Sequence, residues 1–114
     1  MKDDLYHLDL YQDSAEATAI YPNKGDNLYY PALGLAGEAG EVCEKIKKIM
    51  RDKGGVMSEE DSLELSKELG DILWYVSALA CEINVSLSTI AEDNIDKLSS
   101  RQDRGKLQGS GDNR

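Results

Sequence analysis

The sequence predicts an all-α fold of four helices. Hydrophobic residues make up 40% of the 114 residues, aromatic residues only 6%, and phenylalanine is absent. The core must therefore be built from aliphatic side chains. Apolar residues recur at steps of three and four along most of the chain, which is the period of an amphipathic helix, and no alternation long enough for a strand is found. A chain of this length has room for one domain, predicted over residues 1–105.

The first two helices are separated by a long loop. The first is predicted from about Asp3 to Ile20, and a cluster of turn-forming residues begins at Tyr21. The second begins near Pro31 and ends at Gly54, because a glycine just past the last periodic residue is a typical helix stop. Its apolar residues follow steps of four and three: Leu35, Ala39, Val42, Ile46 and Ile49.

The third and fourth helices follow closely. Ser58 and Asp61 have the spacing of a capping box, which predicts the start of the third helix. The fourth is predicted from about Leu87 to Arg101, and the glycine-rich residues 106–114 predict a flexible C-terminal tail. The third helix carries the most regular apolar row in the chain: Leu65, Leu69, Ile72, Val76, Leu79 and Ile83.

Part of the third helix predicts an oligomer. From Ile72 to Cys81 its residues are apolar or small on every side, and such a helix must be buried on every side. Three other helices of a single chain can hardly surround it. We therefore expect Trp74, Ala78 and Cys81 to face another subunit of a homodimer or homotetramer. The alternative is that Trp74 packs under the loop that follows the first helix.

Charge and composition exclude several partners. The net charge is −9, which disfavours nucleic acids and anionic membranes because both attract proteins through their phosphates. The N-terminus is too acidic for a signal peptide, and the uncharged stretch Ile72–Cys81 is about half of a membrane span. Cys43 and Cys81 are interpreted as small buried apolar residues in a reducing compartment. We expect a cytoplasmic protein.

The residues that remain for chemistry are carboxylates. The only histidine, His7, has no nucleophile motif to serve and is expected at the surface, and no phosphate-binding glycine loop is present. Each of the two acid pairs, Glu38 with Glu41 and Glu68 with Asp71, has a spacing of three and projects from one helix face. If the two helices pack together, the four carboxylates line one edge, and oxygen ligands of this kind suit Mg²⁺.

Acid pairs at this spacing are common in an acidic chain, and most are solvated. These two stand out because each lies beside helical glycines, and a glycine in a helix costs about 1 kcal/mol relative to alanine. We interpret the glycines as points of close backbone approach near a functional site: Gly34, Gly37, Gly40 and Gly70. Glu64 and Glu68 would also repel each other, at a spacing of four, unless a positive group lies between them.

A basic row on the fourth helix complements the acids. Asn94, Lys97 and Arg101 share one face, which by itself is typical of a solvated surface. Opposite an acidic metal cluster, the same row could bind phosphate, because arginine makes bidentate contacts with it.

Together these motifs resemble a known family. Glu38-Ala-Gly-Glu41 followed by Glu68-Leu-Gly-Asp71 resembles the E-x-x-E and E-x-x-D signature of MazG-like nucleotide pyrophosphohydrolases. The resemblance includes Tyr75 and the Asn94-x-x-Lys97-x-x-x-Arg101 pattern, and it covers the chain from about Tyr21. It implies a four-helix MazG-like bundle completed by oligomerisation, with the active site at the subunit interface.

The resemblance also implies an activity. Members of this superfamily hydrolyse a nucleoside triphosphate to the monophosphate and pyrophosphate, using Mg²⁺, which Mn²⁺ could replace. The metal ligands would be Glu38, Glu41, Glu68 and Asp71. Glu38 or Glu41 would also act catalytically by orienting the attacking water. The substrate contacts would be Lys97, Arg101, Asn94 and Tyr75. The resemblance does not identify the base pocket, where Trp74 and the loop from Tyr21 to Tyr30 could stack on a base.

Two other function classes remain open. A non-catalytic helical dimer that serves as an interaction module would leave the acids merely solvated, with no Mg²⁺ dependence and no nucleotide turnover. A di-iron four-helix protein normally requires E-x-x-H ligands, and His7 is in the wrong place for that role. The preferred base and sugar, the number of metal ions and the choice between dimer and tetramer are left open.

Overall fold

The computed structural model describes residues 5–114, and this range contains four helices and no strand. The helices are α1 (Tyr6–Glu16), α2 (Tyr29–Lys53), α3 (Glu59–Glu82) and α4 (Leu87–Asp103). The all-α prediction is confirmed. The predicted start of the first helix, near Asp3, lies outside the described residues, and this helix ends four residues earlier than expected. It stops where the Thr18 hydroxyl bonds the carbonyl of Ala15 at 2.7 Å, because such a side-chain contact competes with helix continuation.

The connection between α2 and α3 has the helix stop and start signals predicted from the sequence. α2 ends at Gly54 in the left-handed conformation, where a residue without a Cβ is favoured. The capping box is confirmed, since Ser58 Oγ accepts from the backbone N–H of Asp61 at 3.1 Å and the Asp61 carboxylate accepts from Ser58 N–H at 3.0 Å. Asp61 also binds Lys53 at 2.8 Å, which joins the two helix ends.

The helices do not form a closed bundle within one chain. α2 packs mainly on α3, α1 packs on α3, and α4 packs on α1. The radius of gyration is 16.9 Å, against about 13 Å for a compact chain of this size. Between residues 5 and 114 no single helix is both long enough and apolar enough to cross a membrane, and only α3 and α4 together, bent by 101°, have the required length and composition.

The direction of α4 is set by two side chains of α1. The buried Gln12 accepts from Leu87 N–H at 2.9 Å and donates to the Val85 carbonyl at 3.0 Å. The carboxylate of Asp9 accepts from the N–H and the hydroxyl of Ser88, at 3.0 and 2.7 Å. These contacts satisfy backbone donors that are free at a helix N-terminus. α1 therefore holds the sharp turn between α3 and α4.

The loop between α1 and α2 is attached to the end of α3 by Glu82. Its carboxylate accepts a hydrogen bond from the Tyr21 hydroxyl and further bonds from the N–H groups of Gly25 and Asn27, the last two at 2.9 and 3.3 Å. These hydrogen bonds lower the pKa of Glu82, and the bond from Tyr21 has the largest effect. Tyr21 also stacks on Tyr30, with ring centroids 4.7 Å apart. The loop therefore has a defined path over α3.

This loop covers the face that was expected to meet another subunit. Ala19, Tyr21 and Ala78 form a buried cluster with Trp74 packed against it, and Trp74 Nε1 donates to Thr18 Oγ1 at 2.8 Å. The loop following α1 therefore buries Ala78 and partly buries Trp74, so a second subunit is not needed to explain how these two residues pack. The same contacts agree with the alternative of a tryptophan under the loop. Cys81 is partly buried beside Gln12, which points its amide nitrogen at the sulfur at 3.5 Å.

Much of the predicted core is exposed instead. Leu69 and Ile83, both from the apolar row predicted for the third helix, are 57% and 52% exposed, and Cys43 is exposed rather than buried. The reason is that each helix has few neighbours within one chain, so only a narrow stripe of its surface is covered. His7 lies at the surface as predicted. Further large apolar side chains of α2 and α3 are exposed: Leu33, Ile46, Met50, Leu63 and Leu73.

The helical glycines do not share one role. A Cβ on Gly34 would lie 2.1 Å from Cε1 of Tyr75, so the tyrosine ring rests directly on the α2 backbone. A Cβ on any of the other three would meet no atom within 4 Å in the described chain: Gly37, Gly40 and Gly70. The interpretation of close backbone approach is confirmed at Gly34 and is wrong for the other three within a single chain.

Gly34 and Gly37 make a matched pair for testing this contact. We expect Gly34→Ala to lower the free energy of unfolding by about 1–3 kcal/mol, because the new methyl group overlaps the Tyr75 ring. Gly37→Ala should raise it by up to about 1 kcal/mol, since alanine favours the helix and no neighbour is displaced. Urea denaturation measures both. Equal stabilities of the two variants would contradict the contact.

Candidate active site

Three of the four predicted acids meet between α2 and α3. One carboxylate oxygen each from Glu38, Glu41 and Glu68 can be chosen so that all three lie within 4.8 Å of one another. The spacing of three puts Glu38 and Glu41 on one face of α2, and the packing of α3 on α2 brings Glu68 to that face. We call these three residues the acid cluster.

The fourth acid borders the same space. Asp71 is exposed and lies one turn after Glu68 on α3. It lines an open cavity of about 390 Å³ together with Glu38, Thr18, Trp74 and Tyr75. Asp71 is therefore next to the acid cluster without being one of the three converging oxygens.

The negative charges of the acid cluster repel one another in the absence of cations. Burial, hydrogen bonding to Glu68 and Glu41, and the negative charges of Glu41 and Asp71 together raise the pKa of Glu38 to about 7. One oxygen of Glu38 and one of Glu68 are buried and have no hydrogen-bond donor in the part of the chain that is described. Buried oxygens without a partner are costly. An all-oxygen donor set with unsatisfied atoms fits a hard divalent cation.

A lysine on α2 borders the acid cluster. Lys45 Nζ lies 3.8 Å from an oxygen of Glu64 and 3.8 Å from Oε1 of Glu68. This is the positive group that the spacing of Glu64 and Glu68 required. We did not assign Lys45 to the site from the sequence, although its position one turn after Glu41 is the signal that could have found it.

Aromatic side chains form the wall beside the acids. Tyr75 contacts Trp74 edge to face, with centroids 5.0 Å apart, and lies 6.4 Å from the Tyr30 ring. Trp74 lines the cavity of the acids and also a second cavity of about 200 Å³, whose walls include Tyr21 and Glu82. Both aromatic residues predicted to contact substrate, Trp74 and Tyr75, thus border the cavity that contains Glu38 and Asp71.

The basic row of α4 lies elsewhere. Lys97 Nζ is 2.9 Å and an Arg101 guanidinium nitrogen 3.2 Å from Oδ1 of Asp112, and Asn94 is exposed. Between residues 5 and 114, no hydrogen bond or ion pair joins these three side chains to the four acids. Within one chain these side chains therefore lie apart from the acid cluster, because α4 turns away from α3 and packs on α1.

The fold and these residues define a class of protein. Residues 31–105 match the MazG nucleotide pyrophosphohydrolase domain family, so the chain belongs to that family and the resemblance noted in the sequence is confirmed. It is also similar to the Gene 37 protein of Mycobacterium phage L5, with 53% identity over 113 residues that cover 95% of this chain and 99% of that protein. No solved structure matches the chain.

The raised pKa of Glu38 predicts a pH dependence of the metal-free protein. An ordinary glutamic acid loses its proton near pH 4.5 when the chain is unfolded, whereas folded Glu38 retains it until about pH 7. The contribution of this proton to stability is therefore complete below the unfolded pKa and is lost as the pH rises through the folded pKa. In EDTA, melting temperatures measured from about pH 5 to about pH 8 should fall, and Glu38→Gln should flatten this fall.

A suitable control for this measurement is Glu60→Gln, which removes an exposed carboxylate of α3. It should keep the slope of the parent protein. If Glu38→Gln keeps that slope as well, Glu38 does not hold the proton.

Proposed function

We propose that the protein is a Mg²⁺-dependent nucleoside triphosphate pyrophosphohydrolase, which converts a ribo- or deoxyribonucleoside triphosphate to the monophosphate and pyrophosphate. The observation that carries this proposal is the acid cluster, with its two buried and unsatisfied carboxylate oxygens. Membership of the nucleotide pyrophosphohydrolase family gives the reaction class. The metal and the substrate are our inference from the donor set.

Four carboxylates would hold the metal: Glu38, Glu41, Glu68 and Asp71. Their oxygens are ligands preferred by Mg²⁺, and Mn²⁺ binds similar sets. When bound, such an ion supplies positive charge that offsets the negative charge developing on the phosphates during hydrolysis. Lys45 would keep its contact with Glu68 and limit the repulsion between Glu64 and Glu68.

Glu38 or Glu41 would orient the attacking water. A carboxylate oxygen accepts a hydrogen bond from the water and so fixes its direction of attack. Glu41 is the more exposed of the two.

The substrate would be shared between two regions of the protein. The rings of Trp74 and Tyr75 border the cavity of Glu38 and Asp71, where a base could stack on an aromatic face. Lys97, Arg101 and Asn94 would bind the phosphates. Since these three lie apart from the acids within one chain, they would have to reach the site of a second subunit.

Incomplete burial supports a homodimer or homotetramer. Few side chains are buried in the single chain, and large apolar residues of α2, α3 and α4 are exposed. Exposed apolar surface of this extent is typical of an interface between subunits. Assembly would cover this surface and could bring the basic row of one chain to the acids of another.

The proposed assembly is tested by two charge substitutions. Leu69→Glu places a charge on the exposed apolar side of α3 and should give a monomer in sedimentation, because desolvating the charge opposes association. Ser14→Glu places the same charge on an exposed polar residue of α1 and should keep the parent mass. A Leu69→Glu protein of parent mass would contradict an interface on this face.

The proposed activity is tested with a panel of ribo- and deoxyribonucleoside triphosphates in Mg²⁺, scored for both monophosphate and pyrophosphate. Glu68→Gln and Asp71→Asn should each lower kcat/KM by about 100-fold or more, since each removes a metal ligand. Both should also lose most of the increase in melting temperature that Mg²⁺ causes by binding the native state.

The matched control is Glu44→Gln, because Glu44 is an exposed acid of α2 that pairs with Lys47 at 2.9 Å. Its activity and its response to Mg²⁺ should equal those of the parent. Parent-like turnover by Glu68→Gln or Asp71→Asn would refute the ligand assignment. A protein with neither turnover nor a Mg²⁺ response would instead be the interaction module.

A further inference from the structure

Residues 106–114, which we call the tail, bind the basic row of α4. The carboxylate of Asp112 contacts Lys97 at 2.9 Å and Arg101 at 3.2 Å, and Arg101 also donates to the backbone carbonyl of Asp112. Arg101 is 5% exposed, whereas the side chain of Asp112 is 78% exposed. A buried cation is thus paired with a carboxylate that comes from a solvent-exposed segment.

The tail has internal contacts that hold this arrangement. The guanidinium of Arg114 donates to the carbonyls of Lys106, Leu107 and Gly111, at 3.0, 2.8 and 2.7 Å. Gly109 and Gly111 have φ values of 125° and 86°, which residues with a Cβ rarely adopt. The chain therefore turns at these glycines, and Asp112 is presented to the cations as part of a compact loop.

Carboxylates and phosphates are recognised by the same groups. A guanidinium and an ammonium that bind a carboxylate oxygen can bind a phosphate oxygen with similar geometry. We propose that the tail is an internal competitor for phosphate: Asp112 occupies the Lys97–Arg101 cation pair and must leave it before a phosphate group can bind there. This inference rests on the phosphate-binding role of Lys97 and Arg101 in the proposed function.

The contact is suited to displacement. Because the side chains of Asp112 and Lys97 are 78% and 38% exposed, the ion pair between them is screened by water and salt and is weaker than a buried pair. A polyphosphate carries several negative charges and can replace the single carboxylate. The apparent affinity for phosphate then equals the intrinsic affinity multiplied by the fraction of chains in which the cation pair is free of the tail. The structure predicts a moderate competition rather than a complete block.

Calorimetric titration of inorganic tripolyphosphate into the full chain, in EDTA and at low salt, tests this inference without requiring turnover. Asp112→Asn keeps the shape of the side chain and removes its charge, so it should bind tripolyphosphate about 3- to 10-fold more tightly than the parent. Asp103→Asn makes the same change of charge at the end of α4 and should alter binding by less than about 2-fold. Lys97→Ala combined with Asp112→Asn should lose the gain.

Three results would overturn the inference. Equal or weaker binding by Asp112→Asn would mean that the tail positions the cations rather than competes for them. Absence of tripolyphosphate binding by Asp112→Asn, or parent-like binding by Lys97→Ala, would mean that the cation pair is not a phosphate site. Tighter binding by Asp112→Asn in a protein that hydrolyses no nucleotide would support the competition and refute the proposed function, so the two failures are distinguishable.

Discussion

The contact between Tyr75 and the backbone of Gly34 sets the register of α2 against α3, and the site depends on that register. Glu38 lies one helical turn after Gly34, and Asp71 lies one turn before Tyr75, so the two acids come to the same end of the helix pair. The ion pair of Lys53 with Asp61 fixes the other end at 2.8 Å. These two contacts show that the helices run antiparallel.

This arrangement gathers like charges at a cost in stability. Two carboxylate oxygens remain buried and without a donor in the described chain, and the pKa of Glu38 is raised to about 7. Lys45 compensates only on the side of Glu64 and Glu68. A local arrangement that opposes folding in this way is typical of a functional site. The cost is smaller once a cation is bound, which is why the cluster supports a metal-dependent role.

Acids and bases are kept apart by the turn between α3 and α4. Gln12 and Asp9 of α1 bind the backbone at the start of α4 and hold it at 101° to α3. The basic row is therefore directed away from the acid cluster, where the tail binds it. The acid cluster lies on α2 and α3, and the basic row lies on α4. Because α4 points away from the other two helices, assembly with a second chain is the simplest way to bring the two parts of the proposed site together.

Local features of the structure were predictable from the sequence alone. The four helices, the capping box at Ser58, the helix end at Gly54 and the two acid pairs all depend on residues within about four positions of one another. The convergence of Glu38, Glu41 and Glu68 also follows once the second and third helices pack together, because acids at a spacing of three project from one face of a helix.

Tertiary structure alone decided the rest. Hydrophobic periodicity shows which side chains favour burial and not which partner buries them. The sequence predicts a subunit interface at Trp74, whereas in the structure this residue packs under the loop after α1. Likewise, Leu69 was expected in the core and is exposed. The direction of α4 depends on a bond between Gln12 and Leu87, 75 positions apart. Contacts over such distances are set by the balance of packing across the whole chain, and no local pattern encodes them.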